Sequence, residues 1–94
     1  MSPLVSVIMP TFNRAGFIKR AAESVFDQDC IPDNNIQLII VDDGSGDSTE
    51  QVVKTINKRN HRLDYEKIQH IGQPGTVRNQ ALRKVEGMFV AYCD

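Results

Sequence analysis

Two adjacent carboxylates follow an apolar run in the segment LIIVDDGSGDST, residues 38–49. One of them, Asp42 or Asp43, can accept a hydrogen bond from a loop N–H or cap the next helix. The other can point at a ligand, and because a carboxylate only accepts hydrogen bonds it suits the N–H of a uracil or a ribose hydroxyl. A turn and an N-cap remain the alternative for both residues. Two acids in succession after a buried strand favour a binding function.

A second polar stretch is MPTFNR, residues 9–14. Thr11 and Asn13 offer hydrogen-bonding groups, and the ring of Phe12 could stack on a base. Considered alone, the stretch is explained better as a plain strand-to-helix turn with an N-cap.

A third stretch, HIGQPGTVRN, spans residues 70–79. Gly75 allows close backbone approach near a predicted helix N-terminus, and such an end attracts phosphate. Arg78 lies one turn further and could reach a diphosphate or a base with its planar guanidinium. A solvated Arg on an amphipathic helix is an equal alternative. His70 is predicted to be a structural or surface residue rather than a ligand-binding one.

A last candidate is Asp94, which follows an apolar run at residues 88–93. A carboxylate at this place could bind a divalent metal. One Asp is weak support for a metal site, because cations with oxygen ligands need several of them.

The elements that must position these residues alternate along the chain. Apolar β-branched runs predict strands, and apolar residues at helical spacing predict helices. The predicted elements are strand 4–9, which Pro10 would end, helix 14–28, strand 36–41, helix 47–60, strand 63–68, helix 74–87 and strand 88–94. This order predicts an α/β, Rossmann-like βαβαβαβ fold with a mainly parallel sheet and helices on both faces. Ligands bind beyond the carboxyl ends of such strands, where the candidate residues would meet.

Composition limits the classes of function. The 94 residues are 40% hydrophobic and 24% charged, with a formal net charge of −1, which predicts one soluble globular domain and no nucleic-acid partner. Cys30 and Cys93 match no metal or redox spacing and are expected to be reduced thiols of a cytoplasmic protein. We expect no signal peptide and no transmembrane segment. The chain contains neither a G-x-G-x-x-G segment nor a phosphate-binding G-x-x-x-x-G-K-[ST] segment.

Five segments together resemble the family 2 glycosyltransferases, which are inverting enzymes of GT-A fold. The segments are VSVIMPTFNR, SVFDQ, LIIVDDGSGDST, GTVRNQAL and EGMFVAYCD. They occur in the order and spacing of that family and extend over essentially the whole chain. Phe12 stands where Tyr is commoner, and Val77 replaces the usual Ala. The resemblance implies that the chain is the N-terminal, nucleotide-binding half of a GT-A fold.

The resemblance also implies a set of site residues. The expected nucleotide-binding residues are Thr11, Phe12, Asn13, Asp42, Asp43, Gly75 and Arg78. Among them, Asp43 would contact the nucleobase, typically uracil, while Asp42 would organise the loop. Asp94 is similar to the first acid of the D-x-D motif that holds Mn²⁺ or Mg²⁺ on the donor diphosphate.

The family transfers a sugar from a nucleoside-diphosphate sugar, here expected to be a UDP-sugar, to an acceptor hydroxyl in one inverting displacement. The acceptor would be a saccharide or a lipid-linked molecule, as in cell-wall or polysaccharide biosynthesis, and the complete enzyme could be peripheral to a membrane. The family's catalytic base would lie beyond Asp94. We therefore expect residues 1–94 to be a single nucleotide-sugar-binding subdomain, truncated at the first D-x-D acid and inactive in transfer by itself.

Two other classes of protein remain open as alternatives. The chain could be a non-catalytic nucleotide-binding or assembly module whose last strand, at an exposed sheet edge, pairs with a partner or a second copy. A receiver-like domain has similar alternation, but its acidic cluster would follow the first strand, where this chain has PTFN.

Overall fold

The computed structural model describes residues 3–28, 31–32 and 34–93, in which four strands alternate with three helices. These elements are β1 (Val5–Thr11), α1 (Ala15–Phe26), β2 (Ile36–Asp42), α2 (Thr49–Val53), β3 (Arg62–Lys67), α3 (Pro74–Leu82) and β4 (Phe89–Tyr92). The strands form one parallel sheet in the order β3-β2-β1-β4. The predicted α/β fold is confirmed.

The sheet is covered on both faces because successive side chains of a strand point to opposite sides. In β2, Leu38 and Ile40 pack in the cluster that contains α1 and Val53 of α2, whereas Ile39 packs in the cluster that contains α3. All seven residues of β2 are buried, which explains the continuous apolar run at residues 38–41.

The first strand extends further than its sequence predicts. Pro10 was expected to end it, but Pro10 pairs with Val41 inside β1, and the strand continues to Thr11. The carbonyl of Ile8 faces β4, because it accepts from Cys93 N directly after that strand. The backbone nitrogen of Pro10, two residues further along β1, faces the same neighbour. The paired residues of β4 end at Tyr92, opposite Ile8, and the missing N–H of Pro10 therefore costs no ladder bond.

Two helices are shorter than predicted because tertiary hydrogen bonds take their backbone groups. The predicted helix 47–60 ends at Val53, and the N–H of Asn57 instead donates to Glu23 Oε2 on α1 at 2.9 Å. The predicted helix 74–87 ends at Leu82, and the N–H of Glu86, which a longer helix would direct to the Leu82 carbonyl, instead donates to Gln37 Oε1 at 3.0 Å.

Gln37 is a fully buried amide at the amino end of the sheet. Its Nε2 donates to Asp64 Oδ2 at 2.8 Å and to the Lys84 carbonyl at 2.9 Å. Its Oε1 accepts from Ser6 Oγ at 2.6 Å and from Glu86 N at 3.0 Å. One side chain thus joins β1, β2, β3 and the segment that follows α3, and all its polar atoms are satisfied.

β4 is held beside β1 by a close backbone approach. A Cβ on Gly87 would lie 2.7 Å from Ser6 N, a distance that real Cβ atoms do not adopt, so only glycine fits there. β4 forms an edge of the sheet, and each of its four residues is exposed. The prediction of an exposed last strand is therefore confirmed.

We predict that Gln37→Leu lowers the free energy of unfolding by about 2–4 kcal/mol, because it leaves the Lys84 carbonyl, the Glu86 N–H and Asp64 without their buried partner. Chemical denaturation followed by circular dichroism would measure this change. The matched control is Gln51→Leu on the exposed side of α2, which should change stability by less than about 0.5 kcal/mol. Equal effects of the two variants would contradict the role assigned to the Gln37 network.

Candidate functional site

Three loops meet at the carboxyl edge of the sheet. They follow β1, β2 and β3, which are neighbours in the sheet, and they comprise residues 12–14, 43–48 and 68–73. Backbone bonds hold the second and third loops to the last residue of the neighbouring strand: Asp43 N donates to the Thr11 carbonyl of β1 at 2.9 Å, and Ile68 N donates to the Asp42 carbonyl of β2 at 2.8 Å. The convergence expected from a parallel sheet is therefore observed.

The carboxylate of Asp42 is fully buried and bonds inward. Its Oδ1 accepts from the backbone N–H of Ser45 at 2.9 Å and from the Ser45 hydroxyl at 2.5 Å. Its Oδ2 accepts from the Tyr65 hydroxyl of β3 at 2.5 Å. Burial and this bond to Asp42 raise the pKa of Tyr65 above its usual value. The side chain of Asp42 thus shapes its own loop and ties the loop to β3.

The carboxylate of Asp43 bonds to the loop that follows β3. Its Oδ1 accepts from Ile71 N at 2.7 Å and its Oδ2 from Gly72 N at 3.0 Å, while His70 Nδ1 lies 3.1 Å from Oδ2. Burial by itself would raise the pKa of Asp43, but these two N–H groups and His70 together lower it below the usual 3.8. Asp43 is therefore an anion held by donors from a different loop.

Asn13 joins the first loop to the second. Its backbone N–H donates to Ser45 Oγ at 2.8 Å, and its side-chain Oδ1 accepts from Gly46 N at 2.8 Å. The residue adopts a left-handed conformation with φ of 52°, which Asn tolerates better than most residues. A further hydrogen bond between the same two segments, from Ala15 N to Asp47 Oδ2 at 3.2 Å, fixes the start of α1.

Phe12 and His70 stack on each other across the first and third loops. Their ring centroids are 4.4 Å apart and their planes differ by 22°. The two rings border a cavity of about 530 Å³ that Thr11, Asp43, Gly72 and Arg14 also line. Apolar side chains of β1, α1 and α3 complete the wall. An aromatic face and a carboxylate thus meet in one cavity, a combination that can stack on a planar ring and accept its N–H.

The sequence-predicted residues divide into two groups. Thr11, Phe12 and Asp43 line the cavity, whereas Asn13 and Asp42 hold the loops that form it. In α3, Gly75 is exposed, with open space where a Cβ would stand. Arg78 is partly buried, and its guanidinium carbon lies 5.9 Å from the centroid of the Tyr92 ring of β4. Nucleotide contacts by these residues stay predictions.

His70 is a cavity residue that sequence reasoning assigned to a structural or surface role. The feature of the sequence that relates to the position of His70 is Gly44. This glycine has φ of 76°, and a Cβ on it would lie 2.8 Å from His70 N. A glycine directly after two acids lets the third loop approach the second this closely. That glycine is visible in the sequence, but the residue that approaches it is not.

Within residues 3–28, 31–32 and 34–93, no three His, Cys, Asp or Glu side chains are arranged to hold a metal ion. Asp94, the predicted metal ligand, lies outside the described residues, as does Cys30. The helices of the described segments include none with the length and apolar character needed to cross a membrane.

Comparison with known proteins gives concordant matches. The model of the family described as "Glycosyl transferase family 2" matches residues 6–94. The chain is 36% identical over 93 residues to a GalNAc(5)-diNAcBac-PP-undecaprenol beta-1,3-glucosyltransferase of Campylobacter jejuni, an alignment that covers 98% of the chain and 29% of that enzyme.

Solved structures match over nearly the whole chain. S. aureus TarS 1–349 in complex with UDP-GlcNAc superposes with a TM-score of 0.87 at 35% identity, over 97% of the chain and 26% of that structure. The mannosyltransferase PcManGT from Pyrobaculum calidifontis, in complex with GDP-Man and Mn²⁺, superposes with a TM-score of 0.84 at 27% identity, over 96% and 26% respectively. The chain spans less than a third of the length of each of these proteins.

The lowered pKa of Asp43 predicts acid sensitivity. Because the folded protein holds this carboxylate more firmly as an anion than the unfolded chain does, its contribution to stability is present above the usual pKa of 3.8 and is lost as pH falls through the lower folded value. We expect the free energy of unfolding to fall between about pH 5 and pH 2. Urea denaturation at a series of pH values would measure it.

Asp43→Asn should reduce that pH dependence and lower stability at neutral pH by about 1–3 kcal/mol, because the amide has one acceptor oxygen: one of the two N–H groups, Ile71 N or Gly72 N, keeps a neutral bond and the other loses its acceptor. Asp27→Asn is the control, since the Asp27 side chain is exposed at the end of α1 and its Oδ1 lies 3.7 Å from Arg59 Nη1. An unchanged pH profile in Asp43→Asn would refute the assignment.

Proposed function

The chain belongs to glycosyl transferase family 2, and on that premise we propose that it supplies the donor-nucleotide site of a sugar-transferring enzyme. The donor would be a nucleoside-diphosphate sugar, namely a UDP-sugar, and the sugar would pass to an acceptor hydroxyl with inversion at the anomeric carbon. Relatives with this fold include one in complex with UDP-GlcNAc, which supports the choice of a uridine donor.

The observation that carries the proposal is the position of Phe12 beside Asp43 at one cavity. The exposed part of the Phe12 ring can stack on a base, and the Asp43 carboxylate can accept an N–H from the edge of that base. The anionic state of Asp43, maintained by its lowered pKa, suits an acceptor for such an N–H. Thr11 would line the same pocket.

The remaining predicted residues would act around this centre. Asn13 and Asp42 would keep the first two loops in place, as their hydrogen bonds indicate. The diphosphate would lie toward the N-terminus of α3, where helix N–H groups and the helix dipole favour an anion. Gly75 is in the first turn of that helix, and Arg78 follows in the next.

A divalent cation, Mn²⁺ or Mg²⁺, would be bound through Asp94 as one of its oxygen ligands. A relative of the same fold contains Mn²⁺. The described residues do not by themselves assemble three candidate metal ligands, so we derive no chemical step through the metal.

The activity of the whole protein extends beyond this chain, which spans 29% of the length of the Campylobacter relative. We propose a saccharide or lipid-linked acceptor, a role in cell-wall or polysaccharide biosynthesis, and a cytoplasmic site of action, peripheral to the membrane. We treat residues 1–94 as one nucleotide-sugar-binding subdomain that ends at the first acid of a D-x-D-like motif, and we assign no catalytic base within its described residues. Because the chain spans 29% of the length of that relative, we propose that sugar transfer requires more of the protein than residues 1–94.

A second candidate is an assembly module that associates with a second copy through β4. The observation in its favour is the exposed edge: Phe89 is 61% and Tyr92 54% exposed, although both side chains are largely apolar. Unpaired strand edges with apolar side chains favour association.

We predict that UDP added to the chain shifts the amide resonances of residues 11–14, 43–45 and 70–72, because these loops border the cavity. Two-dimensional amide NMR with and without Mg²⁺ would measure the dissociation constant. Asp43→Asn should weaken binding about tenfold, the effect of losing roughly 1.4 kcal/mol.

The control is Asp27→Asn, whose side chain is exposed at the other end of α1 and which should bind UDP like the unchanged chain. A well-dispersed spectrum that does not respond to UDP would refute the donor-site proposal. Sedimentation of the same samples tests the second candidate, since a dimer whose population rises with concentration and falls in Val90→Lys supports association through β4, whereas a monomer at all concentrations rules it out.

A further inference from the structure

His70 contacts both groups to which the proposed function assigns base recognition. Its ring stacks on Phe12 with a centroid distance of 4.4 Å, and its Nδ1 lies 3.1 Å from Asp43 Oδ2 and 3.0 Å from the Asp43 carbonyl oxygen. The side chain is 52% exposed, so core packing does not force it into this position. It borders the cavity together with Phe12 and Asp43.

The geometry points to His70 as a positioning residue that fixes the Phe12 ring and the Asp43 carboxylate for a uridine base. This inference rests on the proposed function. It concerns how the site distinguishes bases, and it assigns His70 no part in the chemical step.

The protonation of the ring follows from its partners. Both oxygen atoms that face Nδ1 belong to Asp43, and a carbonyl and a carboxylate only accept hydrogen bonds. Nδ1 must therefore donate, which fixes the orientation of the ring and places Nε2 on the side away from Asp43. The Asp43 carboxylate is the anionic side chain that faces the ring, and the cationic Arg14 lines the same cavity.

The effect on Asp43 is directional. An ionised carboxylate has about four lone-pair directions, and Ile71 N and Gly72 N occupy two of them. His70 Nδ1 donates to the Asp43 carbonyl at 3.0 Å and also lies 3.1 Å from Oδ2, so the imidazole covers that side of the carboxylate. The carboxylate is thus open to an N–H from a ligand on the side away from His70. Without His70 the open side is wider, and the acceptor is aimed less sharply.

The effect on Phe12 is steric. The ring is 40% exposed, and His70 covers part of one face at stacking distance. A base then stacks against the part of Phe12 that remains exposed, at a fixed position relative to Asp43. Uracil presents an N–H at N3, whereas cytosine presents an acceptor there, so an acceptor with a fixed direction favours UDP over CDP.

The experiment compares UDP and CDP binding to the chain and to three variants at His70, by calorimetry or amide NMR. His70→Ala should weaken UDP binding about three- to tenfold and reduce the UDP-to-CDP affinity ratio, because it removes a ring stack and a charge-assisted bond together. His70→Phe retains the stack and His70→Asn retains an N–H donor. Each variant should bind UDP more tightly than His70→Ala does. His70→Asn should restore the UDP-to-CDP affinity ratio more fully than His70→Phe.

The matched control is Gln69→Ala, an exposed neighbour in the same loop, which should keep both the affinity and the ratio. Thermal melts establish that each variant is folded. If His70→Ala does not fold, the comparison of His70→Asn with His70→Phe still decides the question, because equal UDP-to-CDP ratios in these two variants would overturn the inference.

The experiment distinguishes a failure of the proposed function from a failure of the role assigned to His70. If the unchanged chain binds neither UDP nor CDP, the proposed function is wrong and the inference falls with it. If it binds UDP while His70→Ala binds with the same affinity and ratio, only the role of His70 is wrong. Tighter UDP binding by His70→Ala would also overturn the inference, because the imidazole would then occupy the place of the base.

Discussion

The structure of the candidate site depends on two adjacent buried carboxylates at the end of β2. Successive side chains of an extended chain point in opposite directions, and Asp42 and Asp43 accordingly bond to different parts of the molecule. Asp42 accepts from Ser45 and Tyr65, and Asp43 accepts from the loop that follows β3. A buried carboxylate without donors would be costly, so these donors must remain in place. Satisfying the two anions therefore determines where the second and third loops lie.

The same requirement makes the site partly preorganised. The first loop is held by Asn13, whose backbone and side chain both bond to the second loop, and Phe12 next to it stacks on His70 of the third. The groups proposed to recognise a nucleotide are thus fixed before any ligand arrives, which reduces the entropy lost on binding. In this arrangement Asp43 has an observed structural role and a proposed recognition role, and its anionic state is needed for both.

The amino end of the sheet is anchored by the hydrogen bonds of one buried amide, Gln37, instead of by two adjacent carboxylates. Gln37 links β1, β2 and β3 to the chain after α3, and Gly87 allows that chain to pass against Ser6. These contacts set the pairing of β4 with β1 and so the position of the edge strand beside the site. Because every polar atom of Gln37 is satisfied, the network specifies one arrangement and disfavours alternatives with unpaired groups.

The sequence by itself determined the α/β class, the order and approximate bounds of the strands, and the meeting of the loops that follow β1, β2 and β3. It could do so because strand and helix periodicity depends on residues that are close along the chain. Tertiary structure alone decided where the helices of residues 47–60 and 74–87 stop, which way each of the two acids faces, and that His70 belongs to the cavity. Apart from the local bonds of Asp42 to Ser45, the hydrogen bonds responsible join residues 23 to 49 positions apart, such as Tyr65 with Asp42 and Glu86 with Gln37. No local pattern reports which distant group will supply a buried donor.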